Sequence, residues 1–376
     1  MKIAYATTFD SHNVRNWSGT PFYMPKAFIN NGVDIEYIGD LKEDRPAWFK
    51  ASQLWKKFAS GQRECPRFNI EVAKSYSKQV AQKLATLSVD AIVAPQINPV
   101  CYLDCKQPIV LWTDGLYASL IGFYHNFLDH SASTVRQGNI MTRECLSRSS
   151  LAIFSSDWAA RSAIEIYGVD KSKVKVVPFG ANIEHAPTFD QVKSFVQARG
   201  SKVIKLLFIG KRWERKGGSI VFEVAKALHA AGHAVELNFV GCTPPEGTQV
   251  PDYIRVHGFI SKKTPEGVEK INRLLRESHF LFVPSRAEAF GIVFCEASAY
   301  GLPSLTTHVG GIPTVVRDNV NGMTFPLDAP INTYCDYIVH AMPHYQELAL
   351  SSYHEFETRL NWRVATAQVK GLIESL

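Results

Sequence analysis

The feature that most constrains the fold is a repeated alternation between short apolar runs and longer segments with helical spacing. β-rich runs occur at Ile3–Thr7, Val33–Ile38, Ala91–Ala94, Ile109–Trp112, Leu151–Phe154 and Val174–Val177, and Val72, Tyr76, Val80 and Leu84 mark one helical face between them. Continuous rather than alternating apolar runs suit strands buried on both faces, the condition of a parallel sheet covered by helices. A polar, strandless stretch from Pro187 to Lys202, with one weak helical pattern in it, follows. The pattern then restarts at Ile204–Ile209, Val235–Val240, Ile254–Val256, Phe280–Val283 and Ser304–Thr306. This grammar predicts an α/β chain of two Rossmann-like, doubly wound parallel-sheet domains. A length of 376 residues agrees, being too great for one ordinary core. The expected domains are residues 1–185 and 200–359, joined by a linker at 186–199. A helical tail at 360–376, with Trp362, Val364, Ala365, Val369 and Leu372 as its apolar positions, would cross back to the first domain. Ligands of such sheets sit beyond the carboxyl ends of the strands, so both domains are expected to face a central cleft.

Composition narrows the function classes. Apolar residues at 46% and charged residues at 20% describe a folded chain, and a net charge of +6 is mild. Neither half is a polycationic arm, so nucleic acid is not the expected partner. The start, Met1 to Thr7, lacks a signal-peptide pattern and reads as a buried strand, and no run is long enough to span a bilayer. Seven scattered cysteines suggest neither a disulfide framework nor a metal site, so a reduced, cytoplasmic protein is expected.

The loops after the strands carry the chemistry. The most informative is Phe282-Val283-Pro284-Ser285-Arg286-Ala287-Glu288-Ala289-Phe290-Gly291-Ile292-Val293-Phe294-Cys295-Glu296-Ala297. Gly291 lets a ligand approach the backbone, and the N–H groups of Gly291, Ile292 and Val293 form a helix N-terminus suited to a phosphate or sugar oxygen. Glu288 and Glu296 are eight residues apart, at most roughly 12 Å along a helix axis, which suits an elongated ligand held at two polar points. The plainer alternative makes Glu288 a capping acid and Glu296 a surface residue. Against it, Glu296 lies among Phe294, Cys295, Ala297 and Ala299, where a carboxylate needs partners. A second loop, Gly210-Lys211-Arg212-Trp213-Glu214-Arg215-Lys216-Gly217-Gly218, sets four cations after a strand, as a diphosphate site needs and as a merely solvated loop also would. A third, Asn16-Trp17-Ser18-Gly19-Thr20-Pro21, is either an ordinary turn or a place where Gly19 and Thr20 approach a ligand. No Walker-type loop, Gly-x-Gly-x-x-Gly after the first strand, Gly-x-Ser-x-Gly or His-Glu-x-x-His occurs. Asp-x-Asp is absent too, so no metal and no cofactor are expected.

Together these segments resemble the retaining nucleotide-sugar glycosyltransferases of family 4, which have the two-domain GT-B fold. Glu288 through Glu296 is similar to that family's Glu-x7-Glu motif, and Trp213-Glu214-Arg215-Lys216-Gly217-Gly218 to its phosphate loop. Val177-Pro178-Phe179-Gly180-Ala181-Asn182, Gly310-Gly311-Ile312-Pro313 and Arg359-Leu360-Asn361-Trp362 are further echoes in the family's order. The resemblance implies an acceptor-side first domain and a second domain that binds a nucleoside-diphosphate sugar. Arg215 and Lys216, in the loop opened by Gly210, would neutralise the diphosphate. Glu296 would hold the ribose, and Glu288 with the Gly291, Ile292 and Val293 amides would hold the sugar. Gly19 and Thr20 would close on the phosphate. Where many members have His-Asp, this chain has Thr113-Asp114, which leaves Asp114 as a second catalytic candidate. Thr314 stands where an acid is common.

The implied activity is metal-independent, retaining sugar transfer to a glycan, lipid-linked or small-molecule acceptor in glycan or glycolipid assembly. A nucleotide-sugar epimerase of the same fold and a two-domain sugar-binding protein are the alternatives. The stretch Trp48 to Phe58 mixes Trp48, Phe49, Leu54, Trp55 and Phe58 with Lys50, Lys56 and Lys57. It reads either as a core helix with a basic face or as a peripheral contact with the inner membrane surface.

Overall fold

The computed structural model describes residues 1–45 and 64–376, so the Trp48–Phe58 stretch lies outside the described residues. The chain forms two compact units, Met1–Phe179 with Trp362–Leu376, and Gly180–Asn361.

In the first unit, continuous apolar runs become six parallel strands: β1 (Lys2–Ala6), β2 (Asp34–Ile38), β3 (Ala91–Ala94), β4 (Ile109–Thr113), β5 (Ser149–Phe154) and β6 (Val174–Val176). Their order is β2-β1-β3-β4-β5-β6. Every residue of β3 and β4 is buried, as runs without polar alternation require. The helices α1 (Thr20–Asn30), α2 (Ile70–Leu84), α3 (Ala132–Arg148) and α4 (Asp157–Glu165) cover the sheet. Asn69, Ser131 and Ser156 start the last three by accepting backbone N–H bonds, the ordinary work of an N-cap.

The second unit repeats the scheme with β7 (Ile204–Gly210), β8 (Val235–Gly241), β9 (Ile254–Gly258), β10 (Phe280–Phe282), β11 (Ser304–Thr307) and β12 (Gly322–Phe325). All pair in parallel, in the order β12-β11-β10-β7-β8-β9. Its helices are α5 (Phe189–Ala198), α6 (Gly218–Ala230), α7 (Pro265–Glu277), α8 (Ile292–Ser298), α9 (Ile331–Ala341) and α10 (Tyr345–Thr358). Phe208 and Phe239 stack at 4.0 Å in the core, with Trp213 and Phe222 against them.

The stretch 186–199, expected to be a linker, is instead part of this unit. Thr188 and Gln191 form a capping box for α5, and Val192 and Val196 are buried. The helix carries four apolar residues, Phe189, Val192, Phe195 and Val196, among six polar or small ones, a weak helical pattern that does not say which domain it joins. β12 has no counterpart among the expected strands, because Gly-Met-Thr-Phe lacks a β-branched run.

The last helix, α11 (Trp362–Glu374), belongs to the first unit and packs on α1. Asn31, just past α1, donates to Thr366 Oγ1 and the Arg363 carbonyl, each at 2.7 Å. Trp362 joins Trp112 and Phe179 at ring separations of 5.7 and 5.4 Å. No described helix is long and apolar enough to cross a membrane.

Candidate functional site

In the second sheet the strand order reverses between β7 and β10, and ligands of open α/β sheets gather at such a switch point. The two loops leaving these strands hold most of the expected residues. After β7, the helical turn Trp213–Lys216 ends at Gly217, whose φ is +73°. A Cβ on Gly217 would stand 2.2 Å from the Pro284 carbonyl oxygen, so only glycine lets the two loops lie backbone to backbone. The Arg286 N–H donates to the Arg215 carbonyl at 2.8 Å, and Arg215 Nη1 donates to the Ala287 carbonyl at 2.8 Å.

These ties bring Arg215, Lys216 and Glu288 together. Lys216 Nζ and Arg215 Nη1 (3.2 Å) both donate to Glu288 Oε2. The Lys216 and Glu288 side chains are only 10% and 13% exposed, so the pairing occurs where water screens little. Burial pushes the Glu288 carboxyl up, but Lys216 and then Arg215 outweigh it and hold the group below the ordinary glutamate value. Glu288 is therefore an anion held in place rather than a proton donor. It is not the cap of α8 either; that position is Gly291, at φ +96°.

Ile292 and Val293 open α8, and Gly210 ends β7, where its carbonyl accepts the Cys242 N–H at 2.8 Å. Glu296 is buried, as its apolar neighbours suggest. Its partner is Lys262, beyond β9, whose Nζ donates to Oε1 at 2.8 Å. Lys262 is 34 residues away in the chain, and no local signal links the two. Of the other loop cations, Lys211 lies over the exposed Phe259 ring at 5.3 Å.

A third segment reaches the same place. After β11, the Gly311 N–H donates to the Glu288 carbonyl at 3.0 Å, so the Gly310-Gly311-Ile312-Pro313 turn buttresses the Glu288 loop.

The remaining candidates lie in the first unit. Gly19 (φ +93°) is the N-cap of α1, and Thr20, buried, is its first residue. The preceding Trp17 and Ser18 have φ of +42° and +56°, a left-handed run that costs non-glycine residues on the order of 1–3 kcal/mol each. Such strain clusters at ligand clamps, and this segment follows β1 at the first sheet's own switch point, between β1 and β3. Asp114 directly follows β4, within electrostatic reach of Arg67. Thr113, the residue before it, is buried at the end of the strand.

Comparison with known proteins bears on these loops. Residues 204–342 match the family model described as "Glycosyl transferases group 1". The D-inositol 3-phosphate glycosyltransferase of Nocardia farcinica is 29% identical over 176 residues, 44% of this chain and 39% of that protein. Its counterpart in Mycobacterium bovis is 27% identical over 195 residues, 50% of this chain and 40% of that one. The chain thus spans about two fifths of the length of these curated relatives. Among solved structures, sucrose-phosphate synthase from Thermosynechococcus elongatus superposes with a TM-score of 0.69 at 16% identity, covering 100% of this chain and 98% of that one. A lipopolysaccharide outer core galactosyltransferase gives 0.63 at 14%, covering 100% and 99%. An Anabaena protein solved with UDP and glucose gives 0.60 at 15%, covering both chains fully. The chain has the two-domain α/β architecture of the GT-B glycosyltransferases, and its residues 204–342 are similar in sequence to the group 1 glycosyl transferases.

Proposed function

We propose that this chain is a retaining glycosyltransferase that moves a sugar from a nucleoside-diphosphate sugar to a glycan or glycolipid acceptor. The observation that carries the reading is the meeting of Lys216, Arg215 and Glu288 at the β7/β10 switch point, inside the segment similar to group 1 glycosyl transferases. In the transfer, the bond from the anomeric carbon to the diphosphate oxygen breaks as the acceptor hydroxyl bonds to the same face of that carbon. The hydroxyl proton passes to the departing diphosphate. Negative charge grows on the leaving group, and the fixed cations Arg215 and Lys216 stabilise it without help from a metal ion. Glu288, held ionised, accepts hydrogen bonds from sugar hydroxyls, and Glu296 accepts those of the ribose.

A thermal-shift panel of UDP, GDP and ADP tests the donor class. Stabilisation by one of them, about 2.7 kcal/mol at a hundredfold excess over Kd, is expected. Response to free sugars alone overturns the reading in favour of a sugar-binding protein. Interconversion of the donor sugar without an acceptor would replace transferase with epimerase.

A further inference from the structure

Beyond the loops themselves, the second unit contains a buried polar network that has no place in the chemistry above. Its centre is Arg359, 16% exposed in its side chain, just past the end of α10. The guanidinium forks onto the last two carbonyls of the helical turn Ile312–Val315, with Nη1 to Thr314 O at 2.7 Å and Nη2 to Val315 O at 3.0 Å. These are end-of-helix carbonyls of the kind that lack an intrahelical donor. Arg359 Nε donates to Glu355 Oε2 at 2.5 Å, and the buried Glu355 accepts a second cation, Arg317, at 3.3 Å on Oε1. Asn321, fully buried, donates to the same Val315 carbonyl at 2.9 Å and to Ser298 Oγ at 3.4 Å, tying the turn to the end of α8.

This turn is the one whose N-terminal Gly311 donates to the Glu288 carbonyl. We propose that Arg359 is a positioning residue for the sugar end of the site: by locking the Ile312–Val315 turn it fixes Gly311, and through Gly311 the height at which the Glu288 loop stands. The inference rests on the donor-site reading above. A planar fork is required, because two carbonyls and a carboxylate must be met at once, and a lysine ammonium cannot present that geometry.

The proposal separates sugar recognition from diphosphate recognition, and the experiment reads that split. Arg359→Gln, Arg359→Lys and Arg317→Gln are compared with the wild type for binding of UDP, GDP and ADP, and for turnover of UDP-glucose, GDP-mannose and ADP-glucose. For whichever pair the wild type uses, Arg359→Gln is expected to lower kcat/KM about tenfold or more while nucleoside-diphosphate affinity stays within about twofold. Arg359→Lys should behave like Arg359→Gln, while Arg317→Gln, which alters only the outer ion pair, should keep kcat/KM near wild type. Unchanged kcat/KM in Arg359→Gln, or a parallel loss of diphosphate affinity, overturns the proposal. If Arg359→Gln fails to fold, Arg359→Lys decides by the same split. Failure of the wild type to bind any of the three diphosphates would instead sink the donor-site reading, so the two failures are distinct.

Discussion

Glu288 holds two cations, Lys216 and Arg215, on one carboxylate oxygen. In the proposed function the same two cations must serve a diphosphate, so the carboxylate competes with the ligand for them. The competition has a sign that can be checked. Glu288→Gln should leave nucleoside-diphosphate affinity unchanged or a few-fold higher, while lowering turnover about a hundredfold, because the sugar loses its anchor as the phosphates lose a rival. Lys216→Met should do the reverse to binding and weaken the diphosphate roughly tenfold to a hundredfold. Calorimetry with the nucleotide found in the thermal-shift panel measures both. A loss of diphosphate binding in Glu288→Gln would show that the carboxylate organises the cations instead of competing with them. At this scale the sequence was legible where a loop carries its own chemistry, as Arg215, Lys216, Glu288 and Glu296 do. The partners of Lys262 and Arg359 were not legible, because each acts on a residue far away in the chain.

Elements add their own constraints at the opposite, amino-terminal edge of the second sheet. Arg199, just past α5, is buried and donates to neutral acceptors: the carbonyls of Leu275 and Arg276 near the end of α7, those of Tyr300 and Gly301 after α8, and the Tyr345 hydroxyl. It draws two helix C-termini together, where the macrodipole favours a cation. Arg199→Ala would strand those carbonyls and is expected to cost about 3 kcal/mol or more in urea unfolding. Beside it, His279 joins the starts of β7 and β10. Its Nδ1 accepts the Lys205 N–H at 3.0 Å, and Nε2 lies 2.9 Å from the Gly200 carbonyl, an arrangement that suits the neutral ring. Burial and then the charge of Arg199 lower its pKa from 6.5 to about 4. The unfolded chain therefore binds the proton first. Stability from this residue is complete above pH 6.5 and is lost as pH falls toward 4. Between pH 7 and 4.5 the wild type should lose on the order of 2 kcal/mol relative to His279→Gln, and parallel stability curves for the two proteins would refute this. Most strands were legible because both faces are buried and the runs are uninterrupted. β12 was not, because Gly-Met-Thr-Phe lacks such a run, and α5 shows only a weak helical pattern that does not say which unit it packs in.

At the scale of the molecule, the chain enters the second unit at Gly180 and leaves it at Asn361, and the Ala181 N–H donates to the Leu360 carbonyl at 3.0 Å where the two passages meet. The second unit is therefore continuous in sequence, whereas the first is completed only when α11 returns. Its completion rests on Trp362, buried against Trp112 and Phe179, with Phe28 behind Trp112. Each unit has its own sheet and its own aromatic core, so damage to one core should register in that unit alone. Trp362→Ala removes the contact that closes the first unit and should cost it about 3–5 kcal/mol. The second unit, which contains Arg215, Lys216, Glu288 and Glu296, should keep its own transition and its diphosphate affinity. In a Trp213→Phe background, where the remaining tryptophans all belong to the first unit, urea unfolding followed by fluorescence and by nucleotide binding reads the two separately: the fluorescence transition should move to lower urea while the binding transition stays in place. Equal displacement of both would mean that the units fold as one cooperative body, and that the returning helix stabilises the donor site as well as the unit it completes.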